Sequence, residues 1–472
     1  MEEPRDSART KEVSPVIATV DPATGRTVKT FEELGAAEIE DKIARSYERA
    51  KSYRHTTFAE RARWLNAAAD LLDAEVDEVA AMMTTEMGKT LASARAEVAK
   101  SANGIRFYAE HAESFLADEP ADAAKVGAEL AYAAYQPLGV VLAVMPWNYP
   151  LWQAVRFAAP ALMAGNTGLL KHASNVPQSA LYLEDVLRRA GFPDGCFTTL
   201  LISSKQVEPV LRDPRVAAAT LTGSEPAGRA VAAVCGDEVK HTVLELGGSD
   251  PFLVLPSADI GRAAEVAVTA RVQNNGQSCI AAKRFIVHTD VYDAFAERFV
   301  ARMRELTVGD PFDAGTQVGP LATEQGRAEV EELVADAVAA GATVLCGGKP
   351  LSGPGWFYPP TVITDITPAM RIHQEELFGP VASLYRAGSL DEAIELANAT
   401  AFGLGASAWT SDAGERARLI AELEAGQVFI NGMTASYPEL PFGGVKRSGT
   451  GRELAAHGIR EFCNVKTVWV GA

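Results

Sequence analysis

Cys279 and Glu245 are the residues of this chain best suited to do chemistry together. Cys279 ends the run Asn275-Gly276-Gln277-Ser278-Cys279, and Glu245 stands 34 residues earlier in Leu244-Glu245-Leu246-Gly247-Gly248. A thiol becomes a strong nucleophile once its proton is removed, and a carboxylate is a base that can take that proton or activate a water. Alone, neither residue says much. A cysteine is most often a small buried hydrophobe, and a glutamate is usually a solvated surface charge.

Both residues need elements that hold them in place. From Val140 to Leu246 the pattern is apolar strand, turn and amphipathic helix, repeated, which predicts strands at 140–145, 167–171, 197–202, 216–222 and 241–245. Such alternation argues for a parallel sheet covered by helices, with Glu245 at a strand end. A second α/β series begins at 252–255 and runs to about Asn431, with helices expected at 258–272, 291–306, 323–340, 390–397 and 412–424. Ahead of both, helical periodicity runs from Ala36 to about Leu116, broken near His55 and Lys89. Segments 126–135 and 465–470 read as extended and lie outside these units. Unpaired apolar strands are a liability, so they are expected to meet another subunit. Residues 349–360, rich in Gly and Pro, read as a loop. Any α/β protein of unrelated function would show the same alternation.

Composition narrows the classes. A chain of 472 residues predicts two or three domains, and 47% hydrophobic with 22% charged residues is ordinary for a globular protein. No apolar run reaches the length of a membrane span, and residues 1–11 lack the apolar core of a secretory signal, so the cytoplasm is the expected address and no membrane partner is foreseen. With 44 basic against 61 acidic residues, the net charge of −17 opposes nucleic acid as a partner. The five cysteines (Cys196, Cys235, Cys279, Cys346, Cys463) show no metal-ligand spacing, which predicts no structural metal and a reducing compartment.

Further motifs appear in a fixed order: Pro146-Trp147-Asn148-Tyr149-Pro150, the Glu245 run, the Cys279 run, Glu376-Leu377-Phe378-Gly379-Pro380 and Pro441-Phe442-Gly443-Gly444-Val445-Lys446. Through them the chain, from about residue 15 to its C-terminus, resembles the aldehyde dehydrogenase superfamily, and within it the bacterial succinate-semialdehyde dehydrogenases. The resemblance implies an α/β fold with a variant Rossmann cofactor domain (1–118 and 138–247, the first 14 residues frayed), a second α/β catalytic domain (248–447) and a β oligomerisation arm (119–137 and 448–472). It also implies a homodimer or homotetramer.

Oxidation of an aldehyde needs a tetrahedral adduct first, and the thiolate of Cys279 supplies it; the resulting thioester is then hydrolysed by an activated water. Glu245 is the candidate to activate that water, and the thiol proton is a second task open to it. The adduct's oxyanion needs preorganised donors. Asn148 has an amide of the right type, and the resemblance makes the Cys279 backbone N–H the second donor. Asparagine also simply favours turns, but the neighbouring motifs outweigh that reading.

No GxGxxG follows the first strand. Gly223 and Ser224 instead stand at a strand end, with Gly228 on the first turn of the next helix, where N–H groups could face a pyrophosphate. The resemblance sets this run at the cofactor phosphates, Glu376 on the nicotinamide ribose with Phe378 beside it, and Pro146 and Trp147 nearby. NAD-selective members commonly carry glutamate where this chain has Ser174. Serine removes that charge and leaves Lys171 to meet a 2′-phosphate, which predicts NADP in preference to NAD. A simple helix-capping role for Ser174 is the competing reading.

For the substrate, a remote carboxylate calls for a guanidinium. Arg156, eight residues beyond Asn148, matches an arginine of the succinate-semialdehyde subgroup, and Ser436 matches a serine that helps hold the carboxylate. A second arginine of that subgroup is replaced here by Gln273, which donates hydrogen bonds without charge and weakens or retunes the clamp. Ala281 stands where some relatives carry a second cysteine, so no disulfide switch can form between those two positions. The rival expectations are a dehydrogenase for glutarate semialdehyde or simple aliphatic aldehydes, a CoA-acylating member, a catalytically silent binding protein and a cofactor-independent thiol hydrolase.

Overall fold

The computed structural model describes residues 17–471; the tail expected at 1–14 lies outside the described residues. The N-terminal helical region consists of Ala36–Tyr53, Phe58–Ala74, Val76–Met87 and Leu91–Phe115. Its breaks have local causes. Thr57 caps the second helix, its side chain accepting from the Glu60 N–H while Glu60 reaches back, and left-handed Gly88 ends the third just before Thr90 caps the fourth. The break at Glu75 is not legible in the sequence, because a single residue between two helices barely shifts the apolar phase. Nor is the antiparallel hairpin Ile17–Asp21/Arg26–Phe31.

The first sheet runs in the order Gly449–Thr450, His241–Glu245, Val216–Thr222, Val140–Met145, Thr167–His172, Phe197–Thr199. All neighbours are parallel except the first pair. Strand Val140–Met145 is apolar throughout because both of its faces are covered: Val141, Ala143 and Met145 pack into one apolar core, and Val140 and Leu142 into another.

The second sheet has seven strands in the order Thr343–Cys346, Thr361–Thr364, Val381–Ala387, Arg284–His288, Pro251–Val254, Gly405–Trp409, Gln427–Ile430, with only the first strand antiparallel. A third, three-stranded sheet pairs Cys463–Val470 with Leu130–Pro137, which in turn meets Glu119–Pro120. The two outlying segments therefore pair with each other within the chain. The expected arm boundary at 448 is also too early. Gly449–Thr450 join the first sheet, and helix Ala455–Arg460 packs on helices Leu91–Phe115 and Trp152–Ala164 before the arm strand begins. Among the described residues, no helix is long and apolar enough to cross a membrane.

Candidate active site

One wall of the site is the carboxyl edge of the first sheet. The register sets Met145 beside His172, Val144 beside Leu221 and Thr222 beside Glu245, so the segments that follow these strands emerge together. The opposite wall is the amino edge of three neighbouring strands of the second sheet. Gly247-Gly248 lead into Pro251–Val254, Cys279 into Arg284–His288, and Glu376 to Pro380 into Val381–Ala387. A cleft of about 290 Å³ lies between them, lined by Cys279, Glu245 and Asn148. Pro146, Trp147, Gly223, Ser224, Glu376 and Phe378 border the same cleft, with Trp147 and Phe378 edge-to-face at 5.7 Å.

The loop that presents Cys279 is held in an uncommon conformation. Asn274 (φ 54°), Asn275 (φ 58°) and Gly276 (φ 77°) are all left-handed, a region that asparagine and glycine tolerate best. A Cβ on Gly276 would lie 2.4 Å from the Gly379 carbonyl carbon, so the two motif loops interlock only with glycine there. Asn275 donates to Gly88 O and Pro320 O and accepts from the Gly319 N–H, which uses its whole amide. Lys283 donates to the carbonyls of Ser278 and Cys279 and pairs with Glu376 at 3.3 Å, tying the two loops to one ammonium.

Asn148 is buried and donates one Nδ2 hydrogen to Gln277 O at 3.2 Å, which leaves its second N–H unspent. Glu245 is 2% exposed, and neither carboxylate oxygen has a hydrogen-bond partner among the described residues. Burial, with the charge of Glu453 adding to it, pushes its pKa well above the ordinary carboxylate range, while Arg156 and Arg452 oppose the rise. The Cys279 thiol is pushed up to about 11, chiefly by burial, with Arg156 and Lys283 pulling it down. A thiol so protonated at neutral pH requires a base, and an uncompensated buried carboxylate with a raised pKa is one.

Several of the candidate residues lie outside the lining of this cleft. Arg156 is not among the residues lining this cleft: it forms a buried ion pair with Glu453, reaches Thr222 Oγ1 at 3.5 Å and stacks 4.5 Å over Phe442. It is the Nε edge of the guanidinium that faces this carboxylate, a partner from a distant segment that no local pattern reveals. Gly228 is a packing glycine, since a Cβ there would lie 2.6 Å from the Leu246 side chain, and it does not border the cleft. Lys171 and Ser174 lie at and just beyond the carboxyl end of Thr167–His172, outside the lining of the cleft. Gln273 borders a second cavity of about 680 Å³, and buried Ser436 is hydrogen-bonded by Lys100 and Trp152. The sequence reading missed Lys283, Asn274, Gln153 and Lys100. Nothing local marks a lysine on a long helix as turned inward.

The family model described as "Aldehyde dehydrogenase family" matches residues 9–468. A succinate-semialdehyde dehydrogenase [NADP(+)] of Mycolicibacterium paratuberculosis is 72% identical over 457 residues, covering 97% of each chain. Another, succinate-semialdehyde dehydrogenase [NADP(+)] 1 of Mycobacterium ulcerans, is 71% identical over 456 residues, 96% of this chain and 100% of that one. Among solved structures, the succinic semialdehyde dehydrogenase of Streptococcus pyogenes in complex with NADP+ superposes with a TM-score of 0.94 at 37% identity, covering 96% of this chain and 100% of that one.

Proposed function

This chain belongs to the aldehyde dehydrogenase family, and we propose that within it the protein oxidises succinate semialdehyde to succinate with NADP as electron acceptor. The observation that carries the chemistry is the convergence of Cys279, Glu245 and Asn148 on one cleft, with the carboxylate buried and unpaired. The relatives at 71–72% identity carry the substrate and cofactor.

The residues present fit the nucleotide. Lys171 is half-buried and, among the described residues, has no ion-pair partner; burial lowers its pKa, with Glu33 the only charge opposing that. A phosphate beside it would restore what burial costs. Gly247 lacks a Cβ that would fall 2.4 Å from Glu376 Oε2, and so lets that carboxylate into the cleft beside Phe378. Lys171 and Ser174 would take the 2′-phosphate, the Gly223-Ser224 turn the diphosphate, and Glu376 the ribose. Bound there, NADP supplies a two-electron acceptor.

The chain's own residues do the rest. Cys279 gives up its proton, directly or through water, to Glu245, and Sγ adds to the aldehyde carbon to form a thiohemiacetal. The unspent Nδ2–H of Asn148 and the Cys279 N–H hold the oxyanion, a role worth about 3 kcal/mol per donor in such sites. After oxidation a Cys279 thioester remains. Glu245, once it has passed its first proton to solvent, takes a proton from water; the water oxygen adds to the thioester, and the tetrahedral adduct collapses with the Cys279 thiolate as leaving group and succinate released. We assign the protein to a homodimer or homotetramer, because Cys463–Val470 has a strand on only one side and exposes Val465, Trp469 and Val470. The experiment is reduced-nicotinamide absorbance with succinate semialdehyde and butanal, each with NADP and NAD. A preference for the semialdehyde and NADP is expected; equal turnover of butanal would remove the substrate assignment.

A further inference from the structure

We propose that Lys283 is a positioning residue of the oxyanion hole, its ammonium gripping the carbonyl of the peptide unit whose N–H, that of Cys279, is an oxyanion donor. The inference rests on the reading above that this N–H and Asn148 hold the oxyanion.

Lys283 stands four residues beyond Cys279, where the loop enters strand Arg284–His288. Its backbone is stapled on both sides: the N–H donates to Asp250 O at 3.0 Å, and the carbonyl accepts the Ser383 N–H at 2.9 Å. From this fixed base the side chain, only 1% exposed, turns back to the loop that presents the thiol. Nζ donates to Ser278 O at 2.9 Å and to Cys279 O, and lies 3.3 Å from Glu376 Oε1. All three N–H bonds of the ammonium are thereby spent on the two motif loops. Glu376 Oε1 is fixed in turn by the Gly248 N–H at 3.0 Å.

The Ser278 carbonyl and the Cys279 N–H belong to one planar trans amide, so they point in opposite directions. Ser278 O accepts from Lys283 and, at 3.1 Å, from the Ala281 N–H, which occupies both its lone pairs. Held this way, the amide cannot swing, and its N–H points away from the ammonium. The described residues give that N–H no acceptor, so it stays unspent, as does the second Nδ2–H of Asn148. Each bond accepted by the carbonyl also polarises the amide and strengthens its N–H as a donor, by roughly 10–30% per bond. Lys283 therefore both aims this donor and sharpens it, from a place that the reacting atoms do not touch.

The test uses two reactions of the Cys279 thiolate, both run without nucleotide. Acylation by 4-nitrophenyl acetate passes through a tetrahedral oxyanion, whereas alkylation by iodoacetamide is a displacement at saturated carbon and forms none. The nitrophenolate burst reads the first, and mass spectrometry of the Cys279 peptide reads the second. Their ratio at one pH cancels the thiolate fraction, which the charge of Lys283 also raises. In Lys283→Met the ratio is expected to fall about tenfold or more, and in Asn148→Ala, which removes the other donor, about 100-fold. Lys283→Gln keeps a shorter, uncharged donor and should lower the ratio by less; it decides the matter if thermal unfolding shows that Lys283→Met does not fold. An unchanged ratio in the folded Lys283 variants, whether or not both rates fall, beside a lowered one in Asn148→Ala would overturn the role of Lys283 alone. An unchanged ratio in Asn148→Ala as well would overturn the oxyanion reading itself.

Discussion

The guanidinium of Arg156 and the carboxylate of Glu453 form an ion pair in which both side chains are almost wholly buried, behind the unpaired carboxylate of Glu245. Arg156 holds the Glu245 pKa down, and Glu453 holds it up. Arg156→Met leaves Glu453 uncompensated and should cost about 3–5 kcal/mol of stability, measured by denaturant unfolding. It also removes a charge that favours ionised Glu245, so the rising limb of the pH–rate profile should move to higher pH. A change confined to KM for the semialdehyde would instead return Arg156 to the substrate clamp.

Glu245→Gln keeps the shape of the side chain but cannot take a proton. If Glu245 activates the deacylating water, rapid mixing should show at most about one equivalent of reduced nicotinamide per active site, followed by turnover slowed at least ~100-fold. Cys279→Ala should show no burst at all. Steady multiple turnover in Glu245→Gln would place the base elsewhere.

Gly443 makes room for the base. A Cβ there would lie 2.8 Å from Glu245 Oε1 and 2.8 Å from the Arg452 side chain. Gly443→Ala should therefore lower kcat about tenfold or more by displacing the carboxylate, with KM for NADP little altered. A wild-type kcat would show that the loop simply retreats.

Ser174→Glu sets a carboxylate where the 2′-phosphate of NADP is expected, near Lys171. The ratio of kcat/KM for NADP over NAD should drop by about tenfold or more. An unmoved ratio would confine Ser174 to local backbone contacts, such as its carbonyl's acceptance of the Ala18 N–H at 3.1 Å.

Much of the architecture is legible in residue order. Strands Val140–Met145, Val216–Thr222 and His241–Glu245 lie where apolar runs between turn residues put them, because a strand buried on both faces must be largely apolar. The hairpin Ile17–Asp21/Arg26–Phe31 is not legible, since its second strand is almost wholly exposed and carries no apolar run.

The sequence by itself determined the chemical actors: a cysteine, a glutamate and an asparagine in ordered motifs, with glycines beside them that permit close approach. Only the tertiary structure decided which charges are free to act. Arg156 meets Glu453 from a distant segment and Lys89 is paired with Glu97, while the carboxylate of Glu245 is left without a partner among the described residues. Local periodicity encodes which face of an element is apolar. Ion pairing in a buried site depends on which distant segments the packed fold brings within a few ångströms, and on the low dielectric that then makes each pairing decisive.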